Sequence, residues 1–244
     1  MNVILCMGVM RSASTWSFNV CRAIAATAAG HLDVPWDSFY SESDPMDRFF
    51  DEKWITREPG VSVIKTHMPS MRGIHYANDG YLKTICTLRD PMDCVASRQQ
   101  FKEEEFPLSV EMVKGSFLGP MRMNDKTMFI DYPDIIDNPE NVIVRILDYL
   151  AIQTPDNREF ANLVQEQFSM EKMAEKSSHI SGHDSYDVNT QLHANHVNGG
   201  IQGRWKDELS EIQQLFVQRE LANEIAWYQA KSKPGECNER NQMA

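Results

Sequence analysis

The stretch Val3-Ile4-Leu5-Cys6-Met7-Gly8-Val9-Met10-Arg11-Ser12-Ala13-Ser14-Thr15-Trp16 decides the fold. Its first five residues are continuously apolar, the pattern of a strand buried on both faces. A run of small and hydroxyl-bearing residues follows, and from Ser14 the pattern turns helical to residue 29. Strand, tight loop and helix in that order open a parallel α/β unit. The signal recurs: apolar runs at 61–64, 82–88 and 128–130 each end in a turn signal and then a helical pattern. Helices are predicted over 92–102, 110–123, 139–151 and 157–168, and a long one over 210–231. The expected fold class is α/β: three layers, a central parallel β-sheet flanked by helices.

Composition narrows the function. The chain has 244 residues, with 24 Lys plus Arg against 35 Asp plus Glu, a net charge of −11. That length buries a full core, and an acidic balance argues against a nucleic-acid binder, which needs a cationic face. No apolar run approaches the roughly 20 residues that cross a bilayer. The apolar start, residues 1–8, lacks a basic flank and a small-residue cleavage site, so no secretory leader is expected. Five scattered Cys (Cys6, Cys21, Cys86, Cys94 and Cys237) read as reduced thiols of a cytoplasmic protein, the first four as core filler. Residues 176–203 are rich in His, Ser, Asn and Gly and read as a long loop, which is uncommon unless it covers a site. Residues 233–244 read as a flexible tail. Nothing marks a boundary, so 1–244 is expected to be a single domain.

In an open parallel sheet, ligands bind beyond the carboxyl ends of the strands. Three such ends carry chemistry. The first, Gly8 to Trp16, offers backbone N–H groups, three hydroxyls and one Arg, with no acid before Asp33. Small residues let such a loop curl into a nest of donors at a helix N-terminus, a phosphate cradle. It resembles a P-loop, but Ala13 stands for the second Gly and Ser14 for the Walker Lys, leaving Arg11 as the loop's cation. An ordinary capped helix start is the alternative. The second is Lys65-Thr66-His67-Met68-Pro69, within 59–78, which holds no acid. A His whose ordinary pKa is about 6.5 suits a general base, and Lys65 two residues back shares its face if the strand continues. A solvated His is the alternative. The third is Arg89-Asp90-Pro91-Met92-Asp93, with Ser97 two turns on. Asp90, Pro91 and Asp93 make a helix start. Arg89 then sits at the strand end, where a guanidinium grips phosphate with two donors. A surface ion pair of Arg89 with Asp93 is the alternative.

Together these segments resemble the PAPS-dependent sulfotransferases, bacterial type, which use 3′-phosphoadenosine 5′-phosphosulfate as donor and release PAP. Arg11-Ser12-Ala13-Ser14-Thr15-Trp16 stands in register with that family's Lys-Ser-Gly-Thr-Thr-Trp. Lys65-Thr66-His67-Met68-Pro69 matches Lys-Thr-His-Leu-Pro. Arg89 to Asp93 with Ser97 matches Arg-Asn-Pro-x-Asp and its Ser. Tyr132-Pro133-Asp134 looks like Tyr-Glu-Asp, and Gly200 to Lys206 is similar to Gly-x-x-Gly-Asp-Trp-Lys.

The resemblance implies a P-loop NTPase-like sulfotransferase fold and sulfuryl transfer to a hydroxyl or amine. It implies His67 as base, and Lys65 and Arg11 as stabilisers of the leaving phosphate. It also implies Ser12, Ala13, Ser14 and Thr15 at the 5′-phosphate, Trp16 and Tyr132 at adenine, and Arg89 and Ser97 at the 3′-phosphate; Met170 stands where many members place a Phe on the adenine. No metal is required. Asn198-Gly199-Gly200 stands where many members have Arg-Lys-Gly, leaving Gly199 and Gly200 to contribute backbone donors. The family's dimer motif survives only as Lys206 and Ser210, so no dimer is carried over.

A P-loop-like nucleotide phosphotransferase and a non-catalytic PAP-binding member are the alternatives. The acceptor is expected to be a small molecule held by loops at 35–54, 102–121 and 176–197, the last a possible lid. Trp36, Phe39, Tyr40, Phe49 and Phe50 line that pocket or fill the core. Residues 102–105 read as a solvated helix end, Trp205 as a packing anchor, and His179, His183, His193 and His196 as solvated loop residues.

Overall fold

A computed structural model describes residues 2–54, 59–102, 104–181, 185–194 and 200–232. The expected positions Gly199, His183, His196 and Cys237, and the tail from 233, lie outside them. The strands are β1 (Asn2–Gly8), β2 (Trp36–Tyr40), β3 (Val61–Thr66), β4 (Lys83–Leu88) and β5 (Met128–Asp131). All pair in parallel, in the order β2-β3-β1-β4-β5. The helices are α1 (Ser14–Leu32), α2 (Ser43–Phe49), α3 (Met71–Asp79), α4 (Pro91–Phe101), α5 (Phe106–Phe117), α6 (Tyr132–Asp137), α7 (Pro139–Leu150), α8 (Asn157–Gln167), α9 (Met170–Ser178), α10 (Trp205–Glu208), α11 (Glu211–Glu220) and α12 (Ala222–Ser232).

The continuous apolar strands explain the three layers. Successive side chains of a strand point to opposite faces. Ile4 and Cys6 of β1, with Val63 and Ile85, join Phe18 and Ile24 of α1, Ile143 and Ile146 of α7, and Val164 of α8 in one core. Met7, Cys86 and Leu88 join Val95, Val113, Phe117 and Val217 in another. Val3, Leu5 and Ile64 pack with Met46, Phe49 and Phe50 in a third cluster. The two Phe are therefore core, while Trp36 and Tyr40 stay about 40% exposed, at 39% and 42%. Cys6, Cys21, Cys86 and Cys94 are free and buried, as expected of filler.

Several elements depart from expectation. Residues 36–40 form an edge strand; Asp37 and Ser38 break its apolar run because one side of an edge faces water. Helices α2, α3, α6 and α9 replace segments without a helical prediction. The expected helix at 110–123 starts earlier, at Phe106, and gives way to a short 3₁₀ turn at Pro120–Arg122, since Pro120 has no amide to continue the ladder. The long C-terminal helix breaks at Leu221, which is fully buried. The break lets α12 fold back so that Trp227 meets Phe117 and Phe129, with ring centroids 6.2 and 5.9 Å apart. Tyr228 then donates to the Asp131 carboxylate at 2.9 and 3.1 Å, and burial raises that carboxyl to about 6. The expected solvated helix end at 102–105 also fails at Glu104, which grips Arg98 at 2.5 and 2.9 Å.

Candidate active site

Strand β1 is central, with β3 on one side and β4 on the other, so the crevice opens beyond Gly8, Thr66 and Leu88. The loop after β1 is unusually tight. A Cβ on Gly8 would lie 2.2 Å from Thr87 Oγ1 and 2.9 Å from Ser12 Oγ, so only glycine fits. Arg11 and Ala13 both have φ 67°, the left-handed region, which costs a non-glycine residue about 1–3 kcal/mol and recurs at ligand clamps. Ser12, between them, donates its hydroxyl to Val9 O at 2.7 Å or Thr87 O at 3.0 Å, and its amide to Val9 O at 3.3 Å. Both of its polar groups thus hold the loop. Ala13 caps α1 without a side-chain bond, and the first turn holds no acid. The opening amides of a helix lack intrahelical partners, so this end is built for an anion.

Two cavities meet at this loop, sharing Arg11 and Ala13. The first, about 110 Å³, runs past Thr15, Trp16, Arg89 and Ser97 to an apolar end at Tyr132, Phe168 and Met170. Gly200, also left-handed, abuts that end: a Cβ there would sit 3.4 Å from Met170 Cε. The second, about 320 Å³, holds Lys65, His67, Ser14, Tyr40, Phe101 and His193. Strand β3 stops at Thr66, yet Lys65 and His67 reach the same cavity. His193, expected to be solvated, is part of its wall against Phe101 and Tyr186, at 5.8 and 5.3 Å between ring centroids. The described part of the long loop thus lines this cavity through Tyr186, Gln191 and His193. Among the described residues no three His, Cys, Asp or Glu gather into a metal-binding group.

The charges are arranged against each other. Lys65 is buried and donates to Thr15 Oγ1 at 2.7 Å. Burial, with Arg11 adding to it, lowers its ammonium to about 7. His67 Nδ1 lies 2.9 Å from Gly8 O, and burial with nearby Lys65 lowers the ring to about 4. Arg11 donates to Ser97 Oγ at 3.1 Å and stacks 4.4 Å over Phe101. Burial and neighbouring Arg89 lower it to about 10. Arg89 donates to Arg11 O at 3.1 Å and Ile201 O at 2.8 Å, and lies 4.1 Å over Tyr132. Its Nε is buried with no hydrogen-bond partner. A buried cation with an unmet donor, beside an uncapped helix start and an apolar slot, fits an anionic nucleotide.

One residue had a larger part than its motif implied. Asp93 is buried. Its carboxylate lies 4.0 Å from Arg89 and accepts from Gly203 N at 2.8 Å and Trp205 N at 3.3 Å. The surface ion pair expected as the alternative is thus a buried clamp that ties the glycine turn to α4. Asp93→Asn turns one acceptor into a donor facing those amides. Unfolding in urea is expected to show about 1–3 kcal/mol of lost stability with an unchanged m value; unchanged stability would refute the clamp. Tyr40, on the edge strand and expected either in the acceptor pocket or in the core, faces the second cavity, as does Arg98, which is paired to Glu104 and had not been singled out as a site residue.

The family model described as "Sulfotransferase domain" matches residues 108–226. Among solved structures, mouse sulfotransferase SULT7A1 complexed with PAP aligns with a TM-score of 0.66 at 13% identity, over 96% of this chain and 89% of that one. Retinol dehydratase in complex with androsterone and inactive cofactor PAP aligns with a TM-score of 0.61 at 16% identity, over 91% and 80%. At such identities the likeness is one of fold. No curated protein matches. No helix among the described residues is long and apolar enough to cross a membrane.

Proposed function

We propose that this chain is a sulfotransferase, which transfers the sulfuryl group of PAPS to the hydroxyl or amine of a small-molecule acceptor; the family model over residues 108–226 supports that reading. The observation that carries the reading is the meeting of the two cavities at Arg11 and Ala13. One side holds Arg89 and Ser97; the other holds Lys65 and His67. A donor along the first and an acceptor in the second would bring the transferred group to the loop between them.

In this reading Arg89 and Ser97 hold the 3′-phosphate, and the amides at the start of α1 hold the 5′-phosphate with Ser14 and Thr15. Trp16, Tyr132 and Met170 close on the purine, and Gly200 lets the chain pass close to it. Gly199 keeps its expected part as a backbone donor outside the described residues. When bound, PAPS supplies an activated S–O bond whose electron pair leaves with the 5′-phosphate oxygen as the acceptor oxygen or nitrogen bonds to sulfur. His67 takes the proton of that nucleophile. Lys65 and Arg11 neutralise charge on the departing phosphate; donors fixed in advance in a dry site do this best. Tyr40, Phe101 and Tyr186 give the acceptor cavity aromatic walls, which suit a small alcohol or phenol.

Calorimetry of PAP beside 5′-AMP and ATP–Mg²⁺ tests the donor. PAP is expected to bind at least ~10-fold tighter than AMP, since a hydrogen bond to a charged group contributes about 1.5–3 kcal/mol. Equal affinity for PAP and AMP, or a preference for ATP–Mg²⁺, would move the reading to a phosphotransferase. Release of PAP from PAPS that depends on an added phenol or alcohol then separates an enzyme from a non-catalytic binder.

A further inference from the structure

The proposed donor cavity has one amide side chain on its wall, Gln165 of α8, beside Phe168 and Met170. Its Oε1 is shielded from water and has no hydrogen-bond donor among the described residues. A buried acceptor left unmade is costly, and such atoms in a ligand cavity mark a bond that the ligand completes. Of the other polar groups of this wall, Arg11 bonds Ser97, Thr15 receives Lys65, and the terminal nitrogens of Arg89 hold two carbonyls. Much of the remaining wall is apolar, with Ile135, Ile136, Met173 and Leu192.

We propose that Gln165 selects the base of the donor, its Oε1 accepting from the 6-amino group of adenine; this rests on the donor reading above. A glutamine amide carries an acceptor and a donor side by side. The adenine edge, with its amino group next to a ring nitrogen, is the complementary pair. The terminal torsion of Gln is broad, so the amide turns to the base at little cost. That pairing uses the edge on which adenine has its amino group next to N7; hypoxanthine has a carbonyl next to N7 there, two acceptors, so one acceptor faces another whichever way the amide turns.

The test compares PAP with its inosine counterpart, which keeps both phosphates, on wild type, Gln165→Leu and Gln165→Met. Wild type is expected to prefer PAP by roughly 10-fold or more. Both variants are expected to lose that preference, with PAP falling to the inosine compound's affinity and the latter shifting less than about twofold. The ratio is read on one preparation, so a partly unfolded variant lowers both signals alike and leaves the ratio intact. A preference unchanged in both variants overturns the role of Gln165 while leaving the donor reading in place. A wild type that binds neither compound overturns both.

Discussion

Arg89→Ala is expected to weaken PAP binding about 100-fold while weakening 5′-AMP binding only a few-fold. The magnitude follows from what the side chain has left to give. Its terminal nitrogens each donate to a backbone carbonyl, and its buried Nε has no acceptor. A phosphate oxygen at that Nε, with a second contact from the guanidinium, completes one to two charge-assisted bonds at about 1.5–3 kcal/mol each. Losing about 2.7 kcal/mol is a factor of about 100. AMP lacks the 3′-phosphate, so it reports the other duty of Arg89, which is to hold Arg11 O and Ile201 O together. Equal losses for PAP and AMP would make Arg89 a brace for the loops and no phosphate ligand. Arg89→Lys keeps the charge but not the planar fork, so its PAP affinity should fall between the two.

Which parts of this site were legible in the sequence follows from distance along the chain. The strand ends were readable because their chemistry is local. Gly8 to Trp16 announces strand, nest and helix within a few residues, and Asp90 with Pro91 announces a helix start that the structure keeps, with Asp90 accepting from Met92 N at 2.8 Å. The sheet was readable from the short apolar runs of the inner strands β1, β3 and β4 and from Met128-Phe129-Ile130 of the edge strand β5. The edge strand β2 was not, because a half-exposed strand needs no such run. Contacts between distant segments were also hidden. The bond from Asp93 to Gly203 spans 110 residues, and nothing in Asp-Cys-Val-Ala tells a helix-start acid from a clamp. Ser12 is ambiguous in the other direction: its residue type suits a phosphate ligand, but a hydroxyl four residues past a strand end can equally bond the chain around it, here Val9 O and Thr87 O.

The loop's strain and its cation belong together. Arg11 is left-handed, and that turn points its guanidinium back across the loop to Ser97 and the Phe101 ring, where it borders both cavities. A P-loop reaches its phosphate with a Lys at the start of the helix. Here that place is Ser14, and Lys65 enters from β3 to meet Thr15. Under the proposed function, positive charge therefore reaches the transferred group from two directions, the loop and the neighbouring strand, and the helix start is left to hold the phosphate by its amides.

His67→Ala is expected to lower kcat by about 10²–10⁴-fold, the contribution of a general base, while PAP affinity stays within about threefold. The geometry fixes the tautomer. Gly8 O can only accept, so Nδ1 carries the hydrogen and Nε2 keeps its lone pair. Burial and nearby Lys65 hold the ring at about 4, so it is neutral and able to take a proton across the neutral range. Lys65 has the opposite requirement: it acts as a cation, yet burial leaves its ammonium at about 7. The signs give a bell. As pH rises through about 4, His67 loses its proton and kcat/KM climbs; as pH rises through about 7, Lys65 loses its proton and kcat/KM falls. Since kcat/KM reports the free enzyme and kcat the complex, the alkaline limb of kcat should lie higher, because anionic donor oxygens beside Lys65 favour its charged form. Lys65→Arg, charged at every accessible pH, should abolish that limb in both profiles while the acid limb stays. An alkaline limb that persists in Lys65→Arg would assign it to another group, and an acid limb that persists in His67→Ala would remove His67 from the proton transfer.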